Sequence, residues 1–198
     1  MIVAIILAAG TSTRMGETNK LLLTYQGQTL VQRIHKVVEQ IAFETVITVL
    51  GHEAKQVKKV LQSSKTQFVF NPDFAQGMTS SIQAGIRACP PDTTGFMIFL
   101  SDLVLLQANT IQQLFETFEV QYHPEQALIL LPTYQGKRGH PICFSAHFKT
   151  DILAHQIPHG CKDLVRIHAN HVMELPVENI SILRDVDTPE DFKQLPNT

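Results

Sequence analysis

Two cationic side chains near the start of the chain, Arg14 and Lys20, follow a loop that could bind phosphate groups. The loop comes after an apolar run and contains Gly10 and the hydroxyl residues Thr11 and Ser12. Glycine lets a ligand approach the backbone, hydroxyl and main-chain N–H groups donate to phosphate oxygens, and the cations add charge. The spacing fits neither GxxxxGK[ST] nor GxGxxG. Taken alone, the loop predicts either a polyphosphate site or an ordinary strand-to-helix turn with solvated basic residues.

Three aspartates further along the chain could bind a metal ion. Asp102 comes just after the apolar run "GFMIFL", where a carboxylate can meet phosphate oxygens and offer the hard oxygen ligand that suits Mg²⁺. Asp185 and Asp187 are two residues apart, so their side chains lie on the same side of an extended segment. A different role is expected for Asp191, which stands three residues after Thr188 and predicts a helix cap. The alternatives are that Asp102 caps a turn and that Asp185 is a solvated charge.

The composition of the chain restricts the class of protein. With 198 residues, of which 44% are hydrophobic, the chain predicts one domain spanning residues 1–198. The net charge of -2 and the mixing of charges argue against a nucleic-acid partner and favour a small-molecule substrate. No apolar run approaches the ~18 residues of a membrane span. Cys89, Cys143 and Cys161 form no CxxC pair, which predicts neither a disulfide framework nor a zinc ribbon and favours a cytoplasmic location.

Short apolar runs alternate with segments of helical periodicity, and this alternation predicts an α/β fold with a largely parallel sheet covered by helices on both faces. Ligands of such folds bind at the carboxyl ends of the strands. A final helix is predicted from Thr188 as N-cap and Pro189 at its first position. The predicted strands are Ile2 to Leu7, Thr45 to Gly51, Gln67 to Phe70, Gly95 to Leu100, Ala127 to Pro132, His140 to Phe144 and Val172 to Val177.

Four sequence blocks carry a resemblance to a known family. The first, "LAAGTSTRMGETNKLLL" (Leu7 to Leu23), resembles the LAAGxSxRMGxxK signature of the nucleotidyltransferases that attach a nucleotide to the molybdenum cofactor, above all the molybdenum cofactor cytidylyltransferases. The others are "NPDFAQGMTSSIQAGI" (Asn71 to Ile86), "GKRGHPICF" (Gly136 to Phe144) and "RDVDTPEDF" (Arg184 to Phe192). The blocks occur in the family's order and span most of the chain. This combination is more specific than any single block.

The resemblance implies a three-layer αβα nucleotidyltransferase fold and transfer of CMP from CTP to the phosphate of molybdopterin, with release of pyrophosphate. It implies that Arg14 binds the β- and γ-phosphates, that Lys20 binds the α-phosphate, and that Mg²⁺ is the cofactor. Other implied partners are the two small-molecule substrates and, transiently, a molybdoenzyme. The implied metal ligands are Asp102, Asp187 and, in second place, Asp185. The implied nucleotide-binding residues are Leu7, Ala8, Ala9, Gly10, Thr11, Ser12, Gly77 and Ser80, and the implied acceptor-binding residues are Gly139, His140 and Pro141.

The chain departs from the family pattern at two places. The segment "SDLV" around Asp102 replaces Gly-Asp-Gln-Pro, and Lys162 stands where the family has an arginine. Two alternatives therefore stay open: a related guanylyl- or sugar-phosphate nucleotidyltransferase, and a catalytically weakened nucleotide-binding maturation factor for a molybdoenzyme. The segment Ala8-Ala9-Gly10 favours the cytidylyl branch, since the guanylyl branch has Gly-Gly there. A zinc site at the spaced histidines, such as His155 and His159, is disfavoured because Pro158 would disturb a helix and HEXXH is absent.

Overall fold

The computed structural model describes residues 1–15, 19–62 and 65–196. Ten strands are present in this part of the chain: β1 (Ile2–Ala8), β2 (Thr24–Tyr25), β3 (Gln28–Thr29), β4 (Thr45–Leu50), β5 (Gln67–Phe70), β6 (Gly95–Leu100), β7 (Ile129–Tyr134), β8 (Lys137–Arg138), β9 (Ile142–Ser145) and β10 (Val172–Pro176). The main sheet has the order β10-β7-β9-β6-β1-β4-β5, with β8 paired to β7, while β2 and β3 form a separate hairpin.

Helices cover both faces of the sheet, and every residue of β1 is therefore buried. The helices are α1 (Leu30–Val38), α2 (Ala54–Val60), α3 (Met78–Arg87), α4 (Ala108–Gln121), α5 (Lys149–Ala154), α6 (Lys162–Ile167) and α7 (Pro189–Lys193). Successive strand side chains point to opposite faces. Val3 and Ile5 pack in the cluster formed with α3, α5 and α6, whereas Ala4 and Ile6 pack in the cluster formed with α1 and α4. The predicted three-layer α/β architecture is thus confirmed.

One central strand, β9, runs antiparallel to both of its neighbours, β6 and β7, in a sheet that is otherwise mostly parallel. Its predicted start at His140 is wrong: β9 begins at Ile142, and the His140 N–H donates to Ile182 O, which lies outside the sheet. Strand β7 lies two residues later than predicted at both ends. It continues past Pro132 into a hairpin with β8. The other predicted strands agree to within one residue.

The last helix, α7, begins as predicted. Thr188 Oγ1 accepts from the Asp191 amide, and the Asp191 carboxylate accepts from the Thr188 amide at 2.7 Å, which completes a capping box with Pro189 at the first position. These hydrogen bonds from Thr188 lower the pKa of Asp191. Asp191 is therefore a capping residue. None of the helices in the described ranges combines the length and the hydropathy that crossing a membrane requires.

A buried histidine of α1 predicts how stability depends on pH. His35 is 1% exposed, its Nε2 lies 3.1 Å from Thr48 Oγ1, and burial lowers its pKa to about 4. Between pH 6.5 and 4 the unfolded chain binds a proton there that the native state does not. Native stability therefore falls as the pH falls, by up to about 3 kcal/mol. We expect His35→Gln to flatten this dependence in urea unfolding between pH 7 and pH 4.5.

The control for that measurement is the same substitution at His123, an exposed histidine. His123→Gln should retain the wild-type slope of unfolding free energy against pH. Equal slopes in wild type and His35→Gln would contradict the prediction and assign the acid sensitivity to other groups.

Candidate active site

A cavity of about 640 Å³ opens where β1 and β6 end. Leu7 near the end of β1 and Leu100 at the end of β6 form part of its wall, and Lys20, Asp102 and Asp187 reach it from three separate loops. Carboxyl ends of adjacent parallel strands meet at the same edge of a sheet, which is where α/β proteins bind ligands. The cavity thus lies where the sequence predicts a site.

The loop after β1 turns around Ser12, which has a positive φ of 54°. Its carbonyl accepts from the Met15 amide at 2.8 Å, and its hydroxyl accepts from the Lys20 amide at 3.2 Å. Ser12 therefore returns the chain to the cavity and positions Lys20. Above Gly10 the space is open, because an added Cβ would meet nothing within 4 Å. Gly16, the other glycine of the loop signature, lies outside the described residues.

Lys20 bridges two of the predicted aspartates. Its Nζ lies 2.7 Å from Asp102 Oδ2 and 2.7 Å from Asp187 Oδ1, and Arg14 Nη1 lies 2.7 Å from Asp187 Oδ2. Burial alone would lower the pKa of Lys20, but the charges and hydrogen bonds of Asp102 and Asp187 outweigh it and raise that pKa. Lys20 is therefore a cation at neutral pH. Arg14, Lys20 and the two carboxylates, predicted from distant segments, form one connected network.

The third aspartate joins the same cluster. Asp102, Asp185 and Asp187 each offer an oxygen, and these oxygens all lie within 4.8 Å of one another. Burial, followed by the charge of Asp102, raises the pKa of Asp185. Asp102 Oδ1 is buried and has no hydrogen-bond partner among the described residues. An unpartnered buried oxygen beside two further carboxylates fits a divalent cation, whose hard charge selects oxygen ligands.

Backbone contacts hold Asp102 and Asp187 side by side. The Val186 amide donates to Asp102 O at 3.2 Å, and the Asp187 amide donates to Asp191 Oδ2 at 3.1 Å, so the cap of α7 also anchors the acidic segment. In the altered "SDLV" segment, Ser101 Oγ donates to Leu7 O at 2.6 Å. Leu103 and Val104, both under 4% exposed, pack into the core. The structure therefore accommodates the loss of the family's glycine and proline while Asp102 stays in the cavity.

The predicted nucleotide-binding residues fall into two groups. Leu7, Ala9, Gly10, Thr11, Ser12 and Gly77 line the cavity. Ala8 and Ser80 do not: Ala8 packs in a core cluster with α1 and α2, and the Ser80 hydroxyl donates to Asp73 O and Gly77 O at 2.9 Å each. At Gly77, φ is 110° and an added Cβ would lie 2.5 Å from Pro158 O, so glycine is required.

Neither Ser81, which lines the cavity, nor Asn71, which supports it from behind, is among the predicted site residues. Ser81 lines the cavity, and its hydroxyl accepts from Asn71 Nδ2 at 3.1 Å, while the same amide group donates to the Ser80 hydroxyl at 2.9 Å. Asn71 is 3% exposed, and its Oδ1 accepts from the Asp73 amide. It therefore positions the start of α3 without reaching the cavity. An asparagine directly after β5 was the available signal, but it is equally typical of any turn.

A second cavity of about 350 Å³ adjoins the first and contains part of the predicted acceptor segment. Gly139 lines this second cavity, His140 and Lys162 line both, and Pro141 lines neither. Burial lowers the pKa of His140 to about 4, so its ring is neutral at pH 7. Lys162 stands where the family has an arginine, and it places a cation at the junction of the two cavities.

Among the remaining histidines and cysteines, His159 and Cys161 line the first cavity, whereas His168 and His171 pack beside Phe148. His168 Nε2 lies 3.1 Å from Asp151 Oδ2, and the His168 ring packs against Phe148 and near His171. In the described ranges the aspartate cluster is the one group of potential metal ligands that comes together. Burial raises the pKa of each of the three cysteine thiols, all of which are free.

The sequence from residue 4 to residue 173 matches the MobA-like NTP transferase domain. The chain belongs to this family. A MobA-like NTP transferase is a nucleotidyltransferase, and the cavity at the ends of β1 and β6 is accordingly the candidate active site.

Among the relatives of this MobA-like protein is the molybdenum cofactor cytidylyltransferase of Escherichia coli K12, which is 26% identical over 189 residues. The alignment covers 95% of this chain and 92% of that protein. Rv0371c from Mycobacterium tuberculosis H37Rv has a similar structure, with a TM-score of 0.84, 27% identity and coverage of 98% of this chain and 96% of that one. Its structure in complex with manganese has a TM-score of 0.80 and 26% identity, and the match covers 98% and 97% of the two chains.

Proposed function

We propose that this nucleotidyltransferase transfers CMP from CTP to the phosphate of molybdopterin or of the molybdenum cofactor and releases pyrophosphate. The observation that carries the proposal is the network in which Lys20 and Arg14 meet Asp102 and Asp187 at the edge of the loop after β1. The similarity to the E. coli cytidylyltransferase along 95% of the chain supports the choice of substrates.

The reaction needs no nucleophilic side chain, because the attacking phosphate oxygen of the acceptor is already an anion. That oxygen forms a bond to the α-phosphorus of CTP, and the bond between the α-phosphorus and the bridging oxygen breaks as pyrophosphate leaves with the electron pair. The work of the protein is then to align the two substrates and to neutralise charge. Lys20 serves the α-phosphate and Arg14 the β- and γ-phosphates. The open space above Gly10 lets the nucleotide approach the backbone.

Mg²⁺ is the proposed metal, with Asp102 and Asp187 as its main ligands and Asp185 as a third. When bound, it supplies positive charge that neutralises the phosphates of the nucleotide. The donors are all carboxylate oxygens, which is the ligand chemistry that Mg²⁺ and Mn²⁺ share.

The second cavity is the proposed acceptor subsite. Its wall is largely apolar, with Leu103, Leu131 and Ile182 among its residues, and Lys162 stands where it opens into the nucleotide cavity. A flat ring system fits the apolar part, and the cation suits the acceptor phosphate next to the CTP site. The neutral ring of His140 lies beside both cavities and adds no competing charge.

The experiment that tests this function is pyrophosphate release from CTP, GTP, ATP and UTP in parallel, with Mg²⁺ and molybdopterin or its molybdenum-loaded form. Release with CTP alone is the expected result. Release with GTP instead would assign the protein to the guanylyl branch. Nucleotide binding without pyrophosphate release in any of the four reactions would contradict the proposal. The protein would then be a maturation factor without transferase activity, or a transferase for another acceptor such as a sugar phosphate.

A further inference from the structure

The carboxylates of the proposed metal site are already bonded to cations of the protein itself. Of the four carboxylate oxygens of Asp102 and Asp187, Lys20 Nζ contacts two and Arg14 Nη1 contacts a third, each at 2.7 Å. The fourth, Asp102 Oδ1, has no partner in the described part of the chain. A metal ion that binds Asp187 must therefore displace Lys20 from Oδ1 or Arg14 from Oδ2, and one that binds Asp102 Oδ1 shares that carboxylate with the Lys20 ammonium group.

We propose that Lys20 is an internal counter-ion that keeps a divalent metal ion off Asp102 and Asp187 until nucleotide phosphates draw the lysine away. The inference rests on the proposed function, because it uses the same aspartates as metal ligands. It adds a binding order: the nucleotide precedes the metal or brings the metal with it.

Lys20 is the stronger of the two competitors. Its side chain is 13% exposed and those of Asp102 and Asp187 are 17% and 22% exposed, whereas that of Arg14 is 69% exposed. Water screens the exposed arginine, so its ion pair contributes little. The lysine pair is shielded, and a metal ion that takes its place on the carboxylates would leave the partly buried Lys20 ammonium group without a partner. A metal ion that binds without nucleotide must therefore break the ion pairs of Lys20 with the aspartates, with no new partner for the lysine.

The phosphate chain of a nucleotide removes this cost. An ammonium group binds phosphate as readily as carboxylate, and the four-carbon stem of lysine lets its Nζ change partners. The backbone of Lys20 need not move: its amide donates to Ser12 Oγ, and its carbonyl accepts from the Leu23 amide at 3.1 Å. Once the lysine turns to phosphate, both aspartates are available to the metal. Nucleotide and metal therefore bind cooperatively, and each increases the affinity for the other by the same factor.

The test measures the affinity of the protein for Mn²⁺ in the absence of nucleotide. The concentration of the free ion is read from its electron paramagnetic resonance signal. If Lys20 occupies the carboxylates in nine-tenths or more of wild-type molecules, Lys20→Met should bind Mn²⁺ at least about tenfold more tightly. The matched control is Lys162→Met, which removes a cation that lines the same cavity. The Mn²⁺ affinity of this control should stay within about threefold of that of wild type, because solvent ions screen a charge that does not contact the aspartates.

Further variants separate this inference from the proposed metal site. Adding Asp102→Asn to Lys20→Met should reverse the gain in Mn²⁺ affinity. If the double variant loses affinity but Lys20→Met binds no more tightly than wild type, the aspartates hold the metal and the counter-ion role is overturned. If Asp102→Asn leaves the Mn²⁺ affinity of Lys20→Met unchanged, the ion binds elsewhere. That result overturns both the counter-ion role of Lys20 and the proposed metal site. Circular dichroism at each step establishes that the variants are folded.

Discussion

Replacing Lys20 by methionine is expected to lower the turnover number for pyrophosphate release by at least about a thousandfold. Methionine keeps the length of the side chain but removes the charge that stabilises the α-phosphate as the bond to pyrophosphate breaks. A factor of a thousand corresponds to about 4 kcal/mol of transition-state stabilisation. The measurement is steady-state release of pyrophosphate at saturating CTP and acceptor. The loss should appear in kcat, because the charge interaction strengthens as the transition state forms.

The matched control for this variant is Lys36→Met, on the exposed side of α1 and away from both cavities. Its turnover number should equal that of wild type. The same substitution is thus compared at a lysine inside the site and a lysine outside it. A folded Lys20→Met protein that retains more than a tenth of wild-type turnover would refute the role assigned to Lys20.

Asp102→Asn is expected to reduce turnover by at least about a hundredfold and to raise the metal concentration needed for half-maximal activity. The amide has nearly the shape of the carboxylate, but it lacks the charge that binds a divalent cation. It also leaves Lys20 with one carboxylate partner instead of two. Activity titrated against Mg²⁺, and separately against Mn²⁺, measures both effects.

The two variants should differ in their response to metal. Lys20→Met loses turnover yet binds Mn²⁺ more tightly, whereas Asp102→Asn loses turnover and metal affinity together. The control is Asp92→Asn in an exposed turn, which should leave the metal titration unchanged. If the half-saturating metal concentration of Asp102→Asn equals that of wild type, Asp102 is not a metal ligand.

The amino-acid sequence predicts the strands of this fold better than their directions. Apolar runs such as "GFMIFL" reveal a buried strand because a strand covered on both faces has few polar side chains. This pattern does not predict the direction of β9, because a buried strand has the same run of apolar residues whether its neighbours are parallel or antiparallel. The direction depends on the route of the chain through the sheet. The short helices α5 and α6 also escaped prediction, because six residues are too few to display a helical period.

The residues of the candidate site were predictable one by one, but their connections were not. Arg14, Lys20 and the aspartates follow strands or precede a helix, and charged residues in such positions indicate chemistry. That Lys20 bridges Asp102 and Asp187 depends on β1 and β6 being neighbours and on the last helix returning to the same edge. Ser80 was predicted as a site residue but Ser81 lines the cavity, because the rotation of α3 about its axis decides which residue of the pair lies at the cavity wall.

Lys20 and Asp187 meet across 167 positions of sequence, and this separation determines when the site forms during synthesis. Contacts between distant residues form late, because a long loop must close first. Arg14 and Lys20 leave the ribosome well before Asp187, the acidic partner that they share. A growing chain that has not reached Asp187 therefore carries both cations without that partner. The site is complete only when α7 and the segment before it have docked against the loop after β1.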